Sequence, residues 1–177
     1  MRIKQVPNIT ADEFKDADFS FDVSEVAQPP FEDFALSRIV PVEPHLKRYP
    51  IDLEVLCRAD PGQSMIAVAN DGRRIVGYIA ASRAWNNCAD VGDFAVDRAF
   101  RRHGIGRLLM HEAIEWAREA NLPMLRLETQ SNNVPACRFY QKVGFRIGGY
   151  DRYLYSAIDG PQQNETALFW YLQLEQR

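Results

Sequence analysis

Seven consecutive residues, Arg101-Arg102-His103-Gly104-Ile105-Gly106-Arg107, set three arginines and two glycines between two ordered segments. Ahead of them, Cys88–Val96 reads as a strand, polar at its start and apolar at its end. Behind them, Leu108–Ala117 carries apolar residues at three- and four-residue steps, the spacing of a helix. The first amides of a helix have no partner inside it, and the macrodipole makes that end partly positive. Such an end receives anions. Gly104 and Gly106 keep side chains off the approach, and Arg101, Arg102 and Arg107 add charge. The chemistry expected here is the holding of a phosphate or pyrophosphate.

Two common phosphate loops do not fit. The dinucleotide pattern G-x-G-x-x-G fails at Leu109, and the G-x-x-x-x-G-K-[ST] loop of nucleotide triphosphatases is absent. A second constellation lies downstream. Asn133, Ala136-Cys137 and Tyr140 recur on one helical face, so Asn133 and Tyr140 can look at one ligand two turns apart. Pro135 falls in the first turn of that helix, where a missing N–H costs nothing.

The elements that must position these residues can be read in order. A strand is expected over 1–7, then a helix over Ile9–Phe19 that begins with the capping box Thr10-Ala11-Asp12-Glu13. Residues 22–50 are broken by Pro29-Pro30, Pro41, Pro44 and Pro50, with a strand expected at Phe34–Val40 and a helix following at Ile51–Arg58. Ser64–Asn70 and Arg74–Trp85 form a hairpin about Asn70-Asp71-Gly72. After the strand at 88–96 and a helix at 106–120 come a strand at Met124–Thr129 and a helix at Val134–Val143 closed by Gly144. Strands at Phe145–Tyr155 and Ala167–Leu174, joined by the polar loop Asp159–Glu165, complete the chain. The order predicts an α+β fold with helices on both faces of a mixed, mostly antiparallel sheet.

A chain of 177 residues suits one domain with a full core. No apolar run is long enough to span a bilayer, and the first residues lack the features of a signal peptide, so a cytoplasmic protein is expected. Cys57, Cys88 and Cys137 are too far apart for a metal site or a disulfide framework, and no metal is expected. A net charge of −3 argues against nucleic acid and fits a cationic partner.

Arg101-x-x-Gly104-x-Gly106 resembles the [RQ]-x-x-G-x-[GA] signature of the GNAT superfamily of acyl-CoA N-acyltransferases. Asn133 to Phe145 is similar to its second signature, N-x-x-A-x-x-x-Y-x-x-x-G-F. Arg126–Gln130, Asn132–Cys137, Asn164–Ala167, Trp170-Tyr171 and Trp85-Asn86 resemble the streptothricin acetyltransferases, most strongly from about residue 75 onward. The resemblance implies a single GNAT domain over 1–177. It also implies direct transfer of acetyl from acetyl-CoA to a primary amine of a streptothricin-type cation, the basis of antibiotic resistance. Dimers are common in the superfamily, but no exposed stripe here compels one.

In that family the pyrophosphate would rest on the amides of Arg102, His103, Gly104, Ile105, Gly106 and Arg107. The pantetheine arm would pair with Phe94, Ala95 and Val96 as an added strand, and an amide there would polarise the thioester carbonyl. Tyr140 would protonate the departing thiolate, since a phenol titrates close to a thiol. The base is open. Many members carry a glutamate late in the cofactor strand, but Gly92 stands there, followed by Asp93. Asp93 or Glu128 would substitute, or no single base exists. Glu128 would otherwise partner an arginine or anchor the substrate ammonium. Asp22, Glu25, Asp90, Asp151 and Glu165 are further carboxylates for that ammonium, with Trp85, Tyr150 and Tyr153 as aromatic walls. The same motifs leave two other readings, a GNAT enzyme for a polyamine, protein N-terminus or lysine, and an acetyl-CoA-binding regulatory module.

Overall fold

A computed structural model describes residues 2–14, 16–72, 74–158, 160 and 164–175. Among these, nine strands and three α-helices follow one another: β1 (Arg2–Gln5), β2 (Phe21–Gln28), β3 (Arg38–Lys47), α1 (Leu53–Leu56), β4 (Ser64–Asn70), β5 (Ile75–Arg83), β6 (Ala89–Val96), α2 (Ile105–Glu119), β7 (Met124–Gln130), α3 (Val134–Val143), β8 (Arg146–Asp151) and β9 (Ala167–Gln173). The α+β class predicted from the element order is the observed one. The chain divides into two compact units, Met1–Ser20 with Arg48–Leu125 and Leu174–Arg177, and Phe21–Lys47 with Arg126–Gln173.

In the first unit, β1, β4, β5 and β6 lie side by side, each pair antiparallel. The β4–β5 turn follows from its residues. Gly72 takes a left-handed φ of 98°, while Asn70 and Asp71 accept the amides of Gly72 and Arg74 at 2.6 and 3.0 Å. Helix α2 buries Ile105, Leu109, Met110, Ala113, Trp116 and Ala117, its apolar stripe, against β4, β5 and β6. Gly77 of β5 is the point of closest approach. A Cβ there would stand 3.1 Å from the Ala95 carbonyl oxygen and 3.2 and 3.4 Å from Leu109 and Ile105. Tyr78 and Ala80, alternating with Gly77, look to the opposite face. There they join Ile9, Phe14, Leu56, Ile66 and Val68.

Two helices of this unit are shorter than their sequence patterns. The capping box forms, with Glu13 accepting the Thr10 amide at 2.8 Å. Yet only a 3-10 turn, Ala11–Phe14, follows, and further on Asp18 accepts the Ser20 amide at 3.0 Å, a local bond that competes with helix. The helix expected at 51–58 is the single turn α1, whose one buried residue is Leu56.

In the second unit, the proline-broken stretch is a two-stranded antiparallel ribbon, β2 with β3. The strand expected at Phe34–Val40 is divided. Asp33 caps a 3-10 turn at Phe34–Leu36, and strand begins at Arg38. Pro41 and Pro44 are tolerated in β3 because a ribbon has only edges. Helix α3 has the predicted limits: Asn133 accepts the Ala136 amide at 3.3 Å, and Gly144 closes it at a left-handed φ of 111°. The strand expected over Phe145–Tyr155 stops at Asp151, which takes the Tyr153 amide at 2.7 Å and turns the chain. Of the polar loop expected over 159–165, residues 159 and 161–163 lie outside the described residues.

Gly77→Val forces the β5–α2 contact apart. We expect a loss of roughly 1–3 kcal/mol of stability from overpacking, measured by urea unfolding; an unchanged midpoint would show that α2 does not seat on Gly77.

Candidate functional site

The basic turn is built on a buried carboxylate. Asp97, 2% exposed, follows β6 and accepts the amides of Ala99 at 2.8 Å and Asp18 at 3.2 Å, and it pairs with Arg74 at 3.0 Å. Arg101 turns inward as well. Its guanidinium donates to the carbonyls of Val96 at 3.0 Å and Phe19 at 3.2 Å. The expectation that this side chain lends its charge to a phosphate is therefore corrected: it clamps the end of the strand. Arg102 and Gly104 both take left-handed φ, 66° and 81°, and His103 Nδ1 lies 2.8 Å from the Arg101 carbonyl oxygen.

Helix α2 then starts at Ile105 with Gly104 as its N-cap and no side chain capping it. Its first turn leaves the amides of Ile105, Gly106 and Arg107 without helical partners. The first α-helical bond runs from the Leu108 amide to the Gly104 carbonyl at 3.1 Å. A Cβ on Gly104 would meet nothing within 4 Å, so glycine is needed there for its backbone angle, and the space beside it is open. Uncapped amides between the exposed Arg102 and Arg107 fit an anionic diphosphate.

Upstream, β6 carries a bulge. Ala80 of β5 opposes Asp93 and Ala81 opposes Val91, so Gly92 is the extra residue. Beyond it Phe94, Ala95 and Val96 oppose Ile79, Tyr78 and Gly77. Asp93 is half-buried, and its Oδ2 accepts from the Tyr78 hydroxyl at 3.1 Å and the Asp52 amide at 3.0 Å. Burial raises its pKa, and the bonds from Asp52, Tyr78 and Phe94 only partly offset this. The Tyr78 phenol is pushed up in turn, first by burial and then by the charge of Asp93. Phe14 packs tilted and Phe19 edge-on against Tyr78, with ring centres 4.8 and 5.3 Å away. In the same unit Asp90 is half-buried in β6, and Trp85 is 96% exposed in the β5–β6 turn.

In the second unit, Tyr140 is buried on α3 among Phe139, Phe145 and Trp170, with ring centres 5.6, 5.9 and 5.9 Å away. Asn133 serves α3 as its cap. Glu128 is exposed, and the group that binds it is the Tyr155 hydroxyl rather than an arginine. Glu165 is buried and paired with Lys47. Glu25 pairs with Arg138 at 3.0 Å, Asp22 is exposed on β2, and Asp151 caps the turn after β8. Tyr78, Asp97, Tyr155 and Lys47 were not singled out from sequence. Each has a partner more than ten residues away in the chain, and no local pattern marks that partner.

Cys57 is exposed, Cys88 and Cys137 are buried, and burial pushes the Cys137 thiol up to about 12. Among the described residues no group of three or more His, Cys, Asp or Glu could hold a metal ion, and no helix is long and apolar enough to cross a membrane.

Comparison with known proteins gives the family. The model of the acetyltransferase (GNAT) family matches residues 22–145. A streptothricin acetyltransferase of Escherichia coli is 36% identical over 174 residues, 97% of this chain and 95% of the relative. The crystal structure of a Bacillus anthracis protein assigned as a streptothricin acetyltransferase, solved with acetyl coenzyme A, superposes with a TM-score of 0.84 at 32% identity, covering 98% of both chains. That of nourseothricin acetyltransferase gives a TM-score of 0.80 at 29% identity, again with 98% of each chain covered.

The state of Asp93 has a measurable consequence. A carboxyl whose pKa is raised on folding favours the fold below its ordinary value of 3.8 and loses that contribution as pH climbs through the raised value. Asp93→Asn, which keeps an acceptor for Tyr78 and Asp52, should therefore raise Tm at pH 7, with the gain shrinking toward pH 4. A gain that grew on acidification would show Asp93 to be stabilised as a carboxylate instead.

Proposed function

The chain belongs to the GNAT family of acetyltransferases, and from that membership we propose that it transfers acetyl from acetyl-CoA directly to a primary amine of a streptothricin-type cationic antibiotic. The observation that carries the reading is likeness to streptothricin acetyltransferases over nearly the whole chain, well beyond the two short signatures. The uncapped start of α2 supports the cofactor half of the proposal, since it offers a diphosphate the donors it needs.

Bound acetyl-CoA supplies an acetyl thioester; the protein supplies position and protons. In the proposed reaction the amides of residues 102–107 hold the pyrophosphate, with Arg102 and Arg107 as charged flanks. Phe94, Ala95 and Val96 guide the pantetheine arm. The amine nitrogen forms a bond to the acetyl carbon, the carbon–sulfur bond breaks, and the electron pair leaves on sulfur. Asp93 takes the proton lost by the amine, a role that its raised pKa favours because a base works best near the operating pH. Tyr140 gives a proton to the thiolate. The surrounding aromatic rings hold its side chain in one orientation.

The deciding experiment is thiol release from acetyl-CoA with streptothricin beside spermidine, lysine and a basic peptide. Saturable turnover far higher with streptothricin supports the reading. Turnover only with another amine removes the antibiotic as substrate, and acetyl-CoA binding without turnover on any amine points to a regulatory module. Tyr140→Phe should lower kcat by about 10²-fold, the low end for general acid catalysis, and leave acetyl-CoA affinity nearly intact; unchanged turnover removes Tyr140 as donor. Gly104→Val, which strains a left-handed residue, should weaken acetyl-CoA binding by about tenfold in calorimetry, and undisturbed binding would count against the turn.

A further inference from the structure

Along β7 the side chains alternate. Leu125, Leu127 and Thr129 are buried, while Glu128 is exposed and Gln130 half-buried on the other face. These last two meet a residue from a different element. The Gln130 amide donates to the Tyr155 oxygen at 2.9 Å, and the Tyr155 hydroxyl donates to Glu128 Oε1. The direction is forced. A phenol has one hydrogen, and a carboxylate can only accept, so Tyr155 must accept from Gln130 in order to give to Glu128. Donor chains of this kind polarise one another, and the bond that ends on a charged group is the strong one.

Tyr155 is also held by its backbone. It lies in the turn that Asp151 starts by taking the Tyr153 amide, and its carbonyl accepts the Ile158 amide at 3.0 Å. Burial raises its pKa, with further push from the charges of Glu128 and Glu165, so it remains a donor at neutral pH. The two carboxylates around it differ in kind. Glu165 is buried and neutralised by Lys47. Glu128 is exposed, fixed through one oxygen, and its Oε2 has no partner among the described residues. A carboxylate that is oriented, accessible and half-satisfied is built to take a cation.

We propose that Tyr155 is a positioning residue that holds Glu128 as the receptor for the ammonium group of the acceptor. The proposal rests on the reading of the protein as an amine acetyltransferase, and it assigns to Tyr155, Gln130 and Glu128 the part of that task that fixes the charged amine.

The test is calorimetric titration of streptothricin into the full chain and into Tyr155→Phe, Glu128→Gln and the double variant, with steady-state turnover alongside. Tyr155→Phe should weaken streptothricin binding and raise its KM by about tenfold, the value of one charge-assisted hydrogen bond. Its kcat and acetyl-CoA affinity should hold. Glu128→Gln should weaken binding at least as much, and Tyr155→Phe should then add less than about twofold, because coupled partners are not additive. Wild-type affinity in Tyr155→Phe, or the same loss with and without Glu128, overturns the proposal. Should Tyr155→Phe fail to fold, the exposed Glu128→Gln still decides, since unchanged streptothricin affinity in it overturns the proposal. An active wild type with silent variants sinks this inference alone, whereas a wild type that neither binds nor acetylates streptothricin sinks the proposed substrate with it.

Discussion

The buried carboxylate of Asp97 is the constraint on which the basic turn before α2 depends. A charge that is 2% exposed persists only when it is paired and hydrogen-bonded. Arg74 and the amides of Asp18 and Ala99 meet that need together, and they tie the end of β6 to the 16–20 segment. Arg101 repeats the device with its sign reversed, giving its guanidinium to the carbonyls of Val96 and Phe19. With strand end and segment locked, the chain has a short path to α2. It takes that path through two left-handed residues, Arg102 and Gly104. The outcome is a helix start with bare amides facing open space.

The carboxylates of the molecule illustrate how environment assigns different work to one functional group. Asp93 is half-buried against the Tyr78 hydroxyl, where desolvation outweighs its hydrogen bonds and raises its pKa. Asp97 is more buried still, yet it is compensated by a full guanidinium. Glu165 has Lys47. Glu128, on the outer face of β7, is oriented by a phenol without being enclosed. Carboxylates of different character thus arise from differences in burial and partner alone.

Much of the architecture was legible in the chain. Helix α3 was read to the residue because an early proline and a terminal glycine mark its two ends. The β4–β5 hairpin was legible because Asn-Asp-Gly carries its own turn chemistry. The α2 turn was legible from glycine and arginine spacing after an apolar strand. The β2–β3 ribbon was not legible. Its prolines signal breaks, and only the two-stranded pairing, which leaves every proline at an edge, makes strands of those residues. The helices expected at 9–19 and 51–58 were overread, since a capping box marks where a helix can start and not how far it runs, and the apolar contacts of one turn support no more.

The candidate residues divide in the same way. Local backbone chemistry lies in the sequence: where a helix must begin, which residue must be left-handed, which segment can offer amides to an anion, and the two signatures that place the chain in its family. These are short-range properties, because they follow from dihedral preferences and hydrogen bonds within a few residues. The pairing of side chains was decided by tertiary structure. That Arg101 faces inward, that Gly92 is an extra residue in β6, that Asp93 meets Tyr78, and that Tyr155 grips Glu128 all depend on register and on contacts between distant segments. A side chain's partner and its burial set its charge state and its reach, and both are fixed only when the strands have found their neighbours.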